Sequence, residues 1–127
     1  MATQDNTSNA SKTGYLVEHV SSAFTFAGES AGEVAQMYTV KKGEKIVDGH
    51  IYIAALGSSV TTIVGDGTDP NGFVTATTAN TAGVYRMNGA YGAGKEYTAD
   101  DTIDVTTAGG AATGAVTLSL VIQRTFD

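Results

Sequence analysis

The chain has 127 residues, of which 42% are hydrophobic and 16% are charged, and it contains no cysteine. This length suits one ordinary domain, and the lack of cysteine excludes a disulfide framework, a thiolate metal site and a cysteine nucleophile. Thirteen acidic and seven basic residues give a net charge of −6, which disfavours nucleic acid as a partner because binding to phosphates needs clustered lysine and arginine.

The first residues are polar, small and without a pattern. We expect residues 1–14 to form a flexible N-terminal arm, followed by a single domain over residues 15–127. The segment lacks the basic start and apolar core of a signal peptide, and no apolar run approaches the ~18 residues of a membrane helix. We therefore expect synthesis in a cytoplasm, without secretion by a signal peptide and without a membrane partner.

Alternating runs after the arm predict two short strands, Tyr15–Val20 and Ser22–Ala27. Ser30 and Glu33 have the spacing of a capping box, which leaves a short helical turn open. The residues that follow them favour a strand over 34–40, with Val34, Tyr38 and Val40 as its apolar side chains.

The longest central run, Lys45–Leu56, alternates as a strand, and Gly49 within it indicates a bulge or a close packing neighbour. The preceding cluster, Lys41–Lys45, contains its own acid and indicates a solvated turn rather than a nucleic-acid patch. Gly57-Ser58 separates the central run from another alternating run over 59–64. A two-residue gap of this kind predicts a tight hairpin.

The second half of the chain contains further strand signals. Phe73–Thr77 is a short candidate strand, and residues 78–94 read as a long surface excursion with a short helical turn near Asn80–Gly83. Thr102–Thr106 predicts a strand whose isoleucine and valine point inward. The clearest alternation covers Ala115–Phe126, in which the inward series is Val116, Leu118, Leu120 and Ile122.

Eight or nine short strands separated by turn residues predict an all-β fold. The expected architecture is an antiparallel β-sandwich or a jelly-roll-like small barrel with the flexible N-terminal arm.

Two groups of residues could hold a metal ion. The loop Gly65–Gly72 carries acidic and amide oxygens suited to Ca²⁺, but its spacing is not that of an EF-hand, and turn chemistry is the favoured interpretation. His19 and His50 could form a zinc site with Glu18 or Asp48 if their strands paired suitably. Isolated histidines on polar strand faces are more often surface residues, so we expect no metal and no cofactor.

Two further groups contain residue types that occur in catalytic or binding sites. Asp100, Asp101 and Asp104 resemble glycosidase carboxylates in composition alone, and a solvated strand edge explains them better. Tyr85, Tyr91 and Tyr97 flank a glycine-rich excursion. They could form a sugar-stacking platform, but a contact with another subunit is preferred because tyrosine is enriched at interfaces. No catalytic residue is predicted.

An ordered set of turns and strand starts resembles small structural proteins of tailed bacteriophages, the kind found as capsid decoration (cement) or other head-associated proteins. The stretches that carry the resemblance are Gly43-x-x-Ile46-Val47-x-Gly49, Val64–Asp69, Gly72–Val74, Tyr97–Val105 and Thr113–Val116. The resemblance covers roughly residues 43–125 and includes no catalytic residues.

This resemblance implies a non-enzymatic β-sandwich on the capsid surface of a virion. Its partners would be the major capsid protein and further copies of itself, most simply as a trimer on a threefold position. The chain would be made in the host cytoplasm, and the contact of Tyr85, Tyr91 and Tyr97 would be with another subunit or with the capsid. The alternatives are a tail, neck or fibre component, or a carbohydrate-binding β-sandwich module.

Overall fold

The computed structural model describes residues 15–92 and 94–125, and the predicted N-terminal arm therefore lies outside the described residues. Within them, the chain forms nine strands and no helix. The strands are β1 (Tyr15–Ala27), β2 (Val34–Val40), β3 (Lys45–Ile53), β4 (Thr61–Gly65), β5 (Val74–Thr78), β6 (Gly83–Arg86), β7 (Lys95–Glu96), β8 (Asp101–Ala108) and β9 (Thr113–Thr125). No helix long and apolar enough to cross a membrane occurs over these residues.

The strands form two antiparallel sheets. One sheet has the order β1-β9-β3-β6, with β7 also paired to β3, and the other has the order β2-β8-β4-β5. The two sheets enclose the hydrophobic core, which confirms the all-β sandwich. The largest fully buried side chains are Phe26, Phe73, Ile46, Ile51, Ile53, Ile103, Leu118, Leu120 and Ile122. Each contributes about 1.5–3 kcal/mol by leaving water.

The final strand confirms the clearest sequence signal. Its inward series from Val116 to Ile122 is buried, and β9 lies between β1 and β3 in the larger sheet. The ladder between β1 and β9 runs over 13 residue pairs without a shift in register. For this reason β1 is one continuous strand rather than the two short strands predicted.

Two predictions about connections are wrong. Strands β3 and β4 lie in different sheets, so Gly57-Ser58 does not close a hairpin. Alternation shows which residues face a core, but in a sandwich it does not show which sheet a strand joins. The predicted surface excursion contains strand β6, which pairs with β3 so that Val84 faces Tyr52. No helical turn forms near Asn80–Gly83.

Bulges change which side chains point inward. In β2 the register shifts between Gln36 and Tyr38, so Ala35 and Met37 are buried while Val34 is 58% exposed. The sequence alone indicated the opposite face for Val34. In β3 the register shifts between Ile46 and Asp48. The bulge therefore precedes Gly49, the residue that indicated it in the sequence.

Gly49 has close packing neighbours, as its position within an alternating run indicated. A Cβ atom at this residue would lie 2.5 Å from Cε of Met87 and 2.7 Å from the carbonyl oxygen of Ser119. The methionine can move, but the backbone of the neighbouring strand β9 cannot move without disturbing the sheet.

We expect Gly49→Ala to lower the free energy of unfolding by about 1–3 kcal/mol, as overpacking does in a filled core. Gly67→Ala is the control, because a Cβ there would meet nothing closer than 3.4 Å. Chemical denaturation of both variants measures the difference. Equal stability of the two variants would contradict the close packing at Gly49.

Candidate functional site

One end of the sandwich collects polar side chains from both sheets, and we call it the polar end. Strands β2 and β9 finish there, and strands β3 and β8 begin there. The side chains that define the polar end are Glu18, Tyr38, Glu44, Asp66, Tyr91, Tyr97 and Arg124. Two buried carboxylates organise these residues into separate clusters.

The first cluster surrounds Glu44, which is 3% exposed in the connection between β2 and β3. The backbone N–H of Lys41 donates to Oε1 of Glu44 at 2.8 Å, and the hydroxyl of Tyr38 donates to the same oxygen at 3.2 Å. Arg124 donates from Nε to Oε2. The remaining guanidinium nitrogens of Arg124 donate to both carboxylate oxygens of Glu18, each at 3.2 Å.

This cluster connects the two sheets, because Tyr38 belongs to the four-stranded sheet while Arg124 and Glu18 belong to the five-stranded sheet. Glu44 lies in the crossing between the sheets and binds a residue from each. In front of it is an open depression of about 550 Å³, lined by Tyr38, Thr39, Lys41, Lys42, Gly43, Glu44 and Arg124. The arrangement is suited to holding the sheets together.

Ionisation in the first cluster follows from these contacts. Burial alone would raise the pKa of Glu44, but the N–H of Lys41 and the guanidinium of Arg124 outweigh it and hold this pKa below its ordinary value. Burial, together with the negative charge of Glu44, raises the pKa of Tyr38. At neutral pH the cluster therefore contains a charged Glu44, a charged Arg124 and a neutral Tyr38.

The second cluster surrounds Asp66, which is 2% exposed. Its Oδ1 accepts the backbone N–H groups of Thr68 at 3.0 Å and Asp69 at 2.9 Å, and the hydroxyl of Tyr91 at 3.0 Å. Its Oδ2 accepts the hydroxyl of Tyr97 at 2.8 Å. The bonds from Thr68 and Asp69 are the turn chemistry favoured for this loop. The two further bonds attach the loop to Tyr91 and Tyr97.

The Asp66 cluster also shifts ionisation. Burial would raise the pKa of Asp66, but the N–H of Asp69 and the hydroxyls of Tyr97 and Tyr91 lower it below its ordinary value. Burial and the Asp66 carboxylate raise the pKa of Tyr91 to about 12, and they raise that of Tyr97 further. Both hydroxyls are hydrogen-bond donors at any physiological pH.

The three tyrosines predicted to form a contact have different surroundings. Tyr97 is 5% exposed, whereas Tyr85 and Tyr91 are half-buried against the core. The ammonium of Lys95 lies 4.3 Å from the ring centre of Tyr91 and 5.4 Å from that of Tyr97. The Tyr91 ring also packs edge-on against Phe73, with ring centres 5.1 Å apart. Lys95 thus occupies ring surface that a sugar platform would need, and the contact role stays a prediction.

The two histidines do not meet. His19 is exposed on β1 and His50 is exposed on β3, and strand β9 lies between these strands. His19 pairs with Val121, which in turn pairs with Asp48. Across residues 15–92 and 94–125, no three histidine or acidic side chains are grouped so that they could hold a metal ion.

Asp101 and Asp104 do not lie on a free strand edge, because they belong to β8, which is between β2 and β4. Asp100 directly precedes this strand. Asp100 is exposed and accepts the N–H of Lys42 at 2.8 Å, and this bond lowers the pKa of its carboxyl. Asp104 is partly buried, and its Oδ1 has no hydrogen-bond partner among the described residues. Burial and the nearby charges of Asp101 and Asp66 raise its pKa.

We expect Asp104→Asn to raise the free energy of unfolding at pH 7 by about 1 kcal/mol, because the charge of a partly buried, poorly paired carboxylate is removed. The folded-state pKa of Asp104 is raised, so its cost appears as pH rises above the unfolded value of ~3.9 and is absent below it. Chemical denaturation of the wild type and the variant measures the stability difference at pH 7 and its expected absence at pH 3.5. Destabilisation at pH 7 would contradict the assignment.

Sequence reasoning missed Glu44 and Arg124. Arg124 continues the inward parity of Leu118, Leu120 and Ile122, and that parity could have identified it as an inward-facing charge that needs a partner. Glu44 had a weaker signal, because it lies among three lysines that made the segment look fully solvated.

No protein-family model matches the chain, and no curated protein matches it in sequence. Three solved structures contain chains with the same fold. A chain in the capsid asymmetric unit of cyanophage Pam1 has a TM-score of 0.73 and 16% identity, covering 97% of this chain and 98% of that chain.

The other two similar chains also come from phage capsids. One, in the capsid of Ralstonia phage GP4, has a TM-score of 0.68 and 18% identity, covering 87% of this chain and 86% of that chain. The other, in the acid-stable capsid of Helicobacter pylori bacteriophage KHP30, has a TM-score of 0.61 and 11% identity, with coverages of 85% and 86%. The fold of this chain is therefore one found in the capsids of three phages, in agreement with its resemblance to head-associated proteins.

Proposed function

We propose that this chain is a non-enzymatic structural protein of a phage virion, and specifically a capsid decoration (cement) protein. The observation that carries the proposal is the fold shared with the Pam1 capsid chain over 97% of this chain and 98% of that one. The near-complete coverage of both chains implies that the Pam1 chain is a small domain of similar length. A domain of this size suits an accessory position on a shell built by other subunits.

The proposed mechanism is preferential binding. A decoration protein that binds the assembled shell more tightly than dissociated subunits stabilises the shell by mass action. Its partners would be the major capsid protein and further copies of this chain, with a trimer on a threefold position as the simplest closed arrangement. The half-buried Tyr85 and Tyr91 are the proposed contact residues, and residues 1–14 are proposed as an additional arm along the shell.

The chemistry of the polar end supports a structural role. Glu44 and Asp66 are buried and fully engaged with donors of their own chain, which favours cohesion over attack on a substrate. The depression in front of Glu44 is open, and the paired Glu44 and Arg124 are among the residues that line it. This arrangement does not resemble a pair of carboxylates placed across a reacting bond.

The proposal can be tested with particles of the encoding phage from which this chain has been deleted. We expect such particles to release their genome at a lower temperature than complete particles. Adding the purified chain should bind them saturably and restore the release temperature, whereas an unrelated acidic β-domain should not. Normal release temperature together with no binding would contradict a decoration role.

Two other outcomes would favour the alternatives. Loss of tails or of infectivity without a shell defect would favour a tail or neck component, and saturable binding to a glycan panel would favour the carbohydrate-binding alternative.

A further inference from the structure

The outer edge of β1 differs from every other strand edge in the described sandwich. Strand β1 ends the five-stranded sheet, runs for 13 residues and keeps an unbroken register with β9 on its inner side. Within residues 15–92 and 94–125, no strand pairs with its outer side. An uninterrupted strand edge of this kind presents a row of backbone N–H and C=O groups to any extended chain.

The other edges are protected in familiar ways. Strand β2 carries a bulge between Gln36 and Tyr38, and β6 and β7 have only four and two residues. In β5, the N–H of Thr75 already donates to Asn88 at 2.9 Å. By contrast, β1 has no bulge, no proline and no lysine. Natural sheets use these features to prevent unwanted pairing, so their absence from β1 indicates an edge that is meant to pair.

Exposed apolar side chains lie along the same strand. Val17 is 59% exposed on the outer face of the sheet, and Phe24 is 41% exposed although it points toward the core side. Leu16 and Val20 are half-buried on the same side as Phe24. These side chains are open because no strand lies beyond β1 to cover them.

We propose that β1 pairs antiparallel with β1 of a second copy of this chain, about a twofold axis at Val20. This inference does not depend on the proposed function.

The sequence of β1 is complementary to itself in this register. Residues whose numbers sum to 40 face each other, so Val20 faces its own copy and Phe24 faces Leu16 of the second copy. On the outer face, Val17 lies opposite Ala23. The remaining central pairs are polar, since Glu18 faces Ser22 and His19 faces Ser21. Apolar residues therefore meet apolar residues, polar residues meet polar residues, and like charges are not directly opposed.

The pairing would join the two five-stranded sheets edge to edge. It makes an isologous contact, which closes after two copies and does not extend into a fibre. The same contact can join two separate copies or two copies that belong to neighbouring trimers on a shell. Because a strand pair alone buries less than a standard protein interface, we expect association that depends on concentration.

A charge substitution tests the contact, with a matched control on another edge. Val17 and Val34 are 59% and 58% exposed and lie on β1 and β2 respectively. We expect Val17→Lys to weaken self-association at least tenfold in sedimentation equilibrium, and Val34→Lys to leave it unchanged. A wild-type chain that shows no self-association up to millimolar concentration would overturn the proposal, as would equal effects of the two variants. Unchanged thermal unfolding of the variants shows that they are folded.

A crosslink tests the register independently. Since the chain has no cysteine, Val20→Cys introduces a single thiol at the proposed axis, and Val34→Cys is the matched control. We expect Val20→Cys to form a covalent dimer with a short bismaleimide much faster than the control. Equal rates would overturn the pairing at Val20. A chain that stays single and uncrosslinked would also overturn the proposal.

Discussion

Replacing Asp66 with alanine is expected to lower the free energy of unfolding by about 3 kcal/mol at pH 7, which is a large share of the stability of a domain of this size. The carboxylate accepts four hydrogen bonds, and its removal leaves the hydroxyl of the buried Tyr97 without its partner. It also releases the N–H groups that hold the turn at Thr68 and Asp69. Chemical denaturation measures the loss.

The control for this variant is Asp69→Ala, which removes a neighbouring carboxylate while keeping the N–H that donates to Asp66. We expect Asp69→Ala to change stability by less than about 0.5 kcal/mol, as surface substitutions do. In a double-mutant cycle, Tyr97→Phe should remove part of the loss caused by Asp66→Ala, because no unpaired hydroxyl remains. Additive effects of the two substitutions, or equal losses for both aspartates, would contradict the role assigned to Asp66.

The pH dependence of stability follows from the same cluster. The folded-state pKa of Asp66 is lowered, so its contribution is present above the unfolded value of ~3.9 and is lost as pH falls through the folded value. The wild type should therefore lose stability below about pH 4 more steeply than Asp66→Ala.

Replacing Arg124 with methionine is expected to give the second largest loss of stability, smaller than the loss caused by Asp66→Ala. Removing one partner of a buried ion pair costs about 3–5 kcal/mol, and the half-exposed position of Arg124 reduces this figure. Glu44 keeps the N–H of Lys41 and the hydroxyl of Tyr38, which limits the loss further. Thermal and chemical unfolding both measure it.

A second substitution tests this ion pair by removing the negative charge of Glu44, which has no cation in Arg124→Met. Adding Glu44→Gln to Arg124→Met should restore part of the lost stability, because a neutral amide replaces the buried carboxylate that has lost its cation. Lys42→Met is the control, since Lys42 is an exposed cation at the same end of the sandwich and forms no ion pair with the residues described. If Arg124→Met and Lys42→Met were equally stable, the ion pair would not be holding the sheets together.

The strands themselves could largely be predicted from local pattern. The alternation from Val116 to Ile122 and the inward Ile103 and Val105 depend on residues two positions apart, and the structure buries all of them. Local pattern could not predict which sheet a strand joins, because β3 and β4 would show the same alternation in either sheet. The bulge in β2 reversed the face expected for Val34 for a related reason, since an extra residue changes parity without any change in composition.

The polar end was only partly predictable. The glycines and aspartates of the loop around Asp66 predicted a turn. The hydrogen bonds that Asp66 accepts from Tyr91 and Tyr97 could not be predicted, because these tyrosines lie 25 and 31 positions further along the chain. The bond between Arg124 and Glu44 spans 80 positions. Contacts over such distances depend on the arrangement of the two sheets, which a single sequence does not specify through local pattern.

The most direct test of a decoration role is the number of copies of this chain in purified particles of the encoding phage. Quantitative mass spectrometry against the major capsid protein measures this ratio. We predict one copy per capsid subunit, or a fixed fraction set by the symmetry of the shell. A handful of copies per particle would contradict decoration and indicate a neck or tail position, and absence from the particle would contradict the virion role altogether.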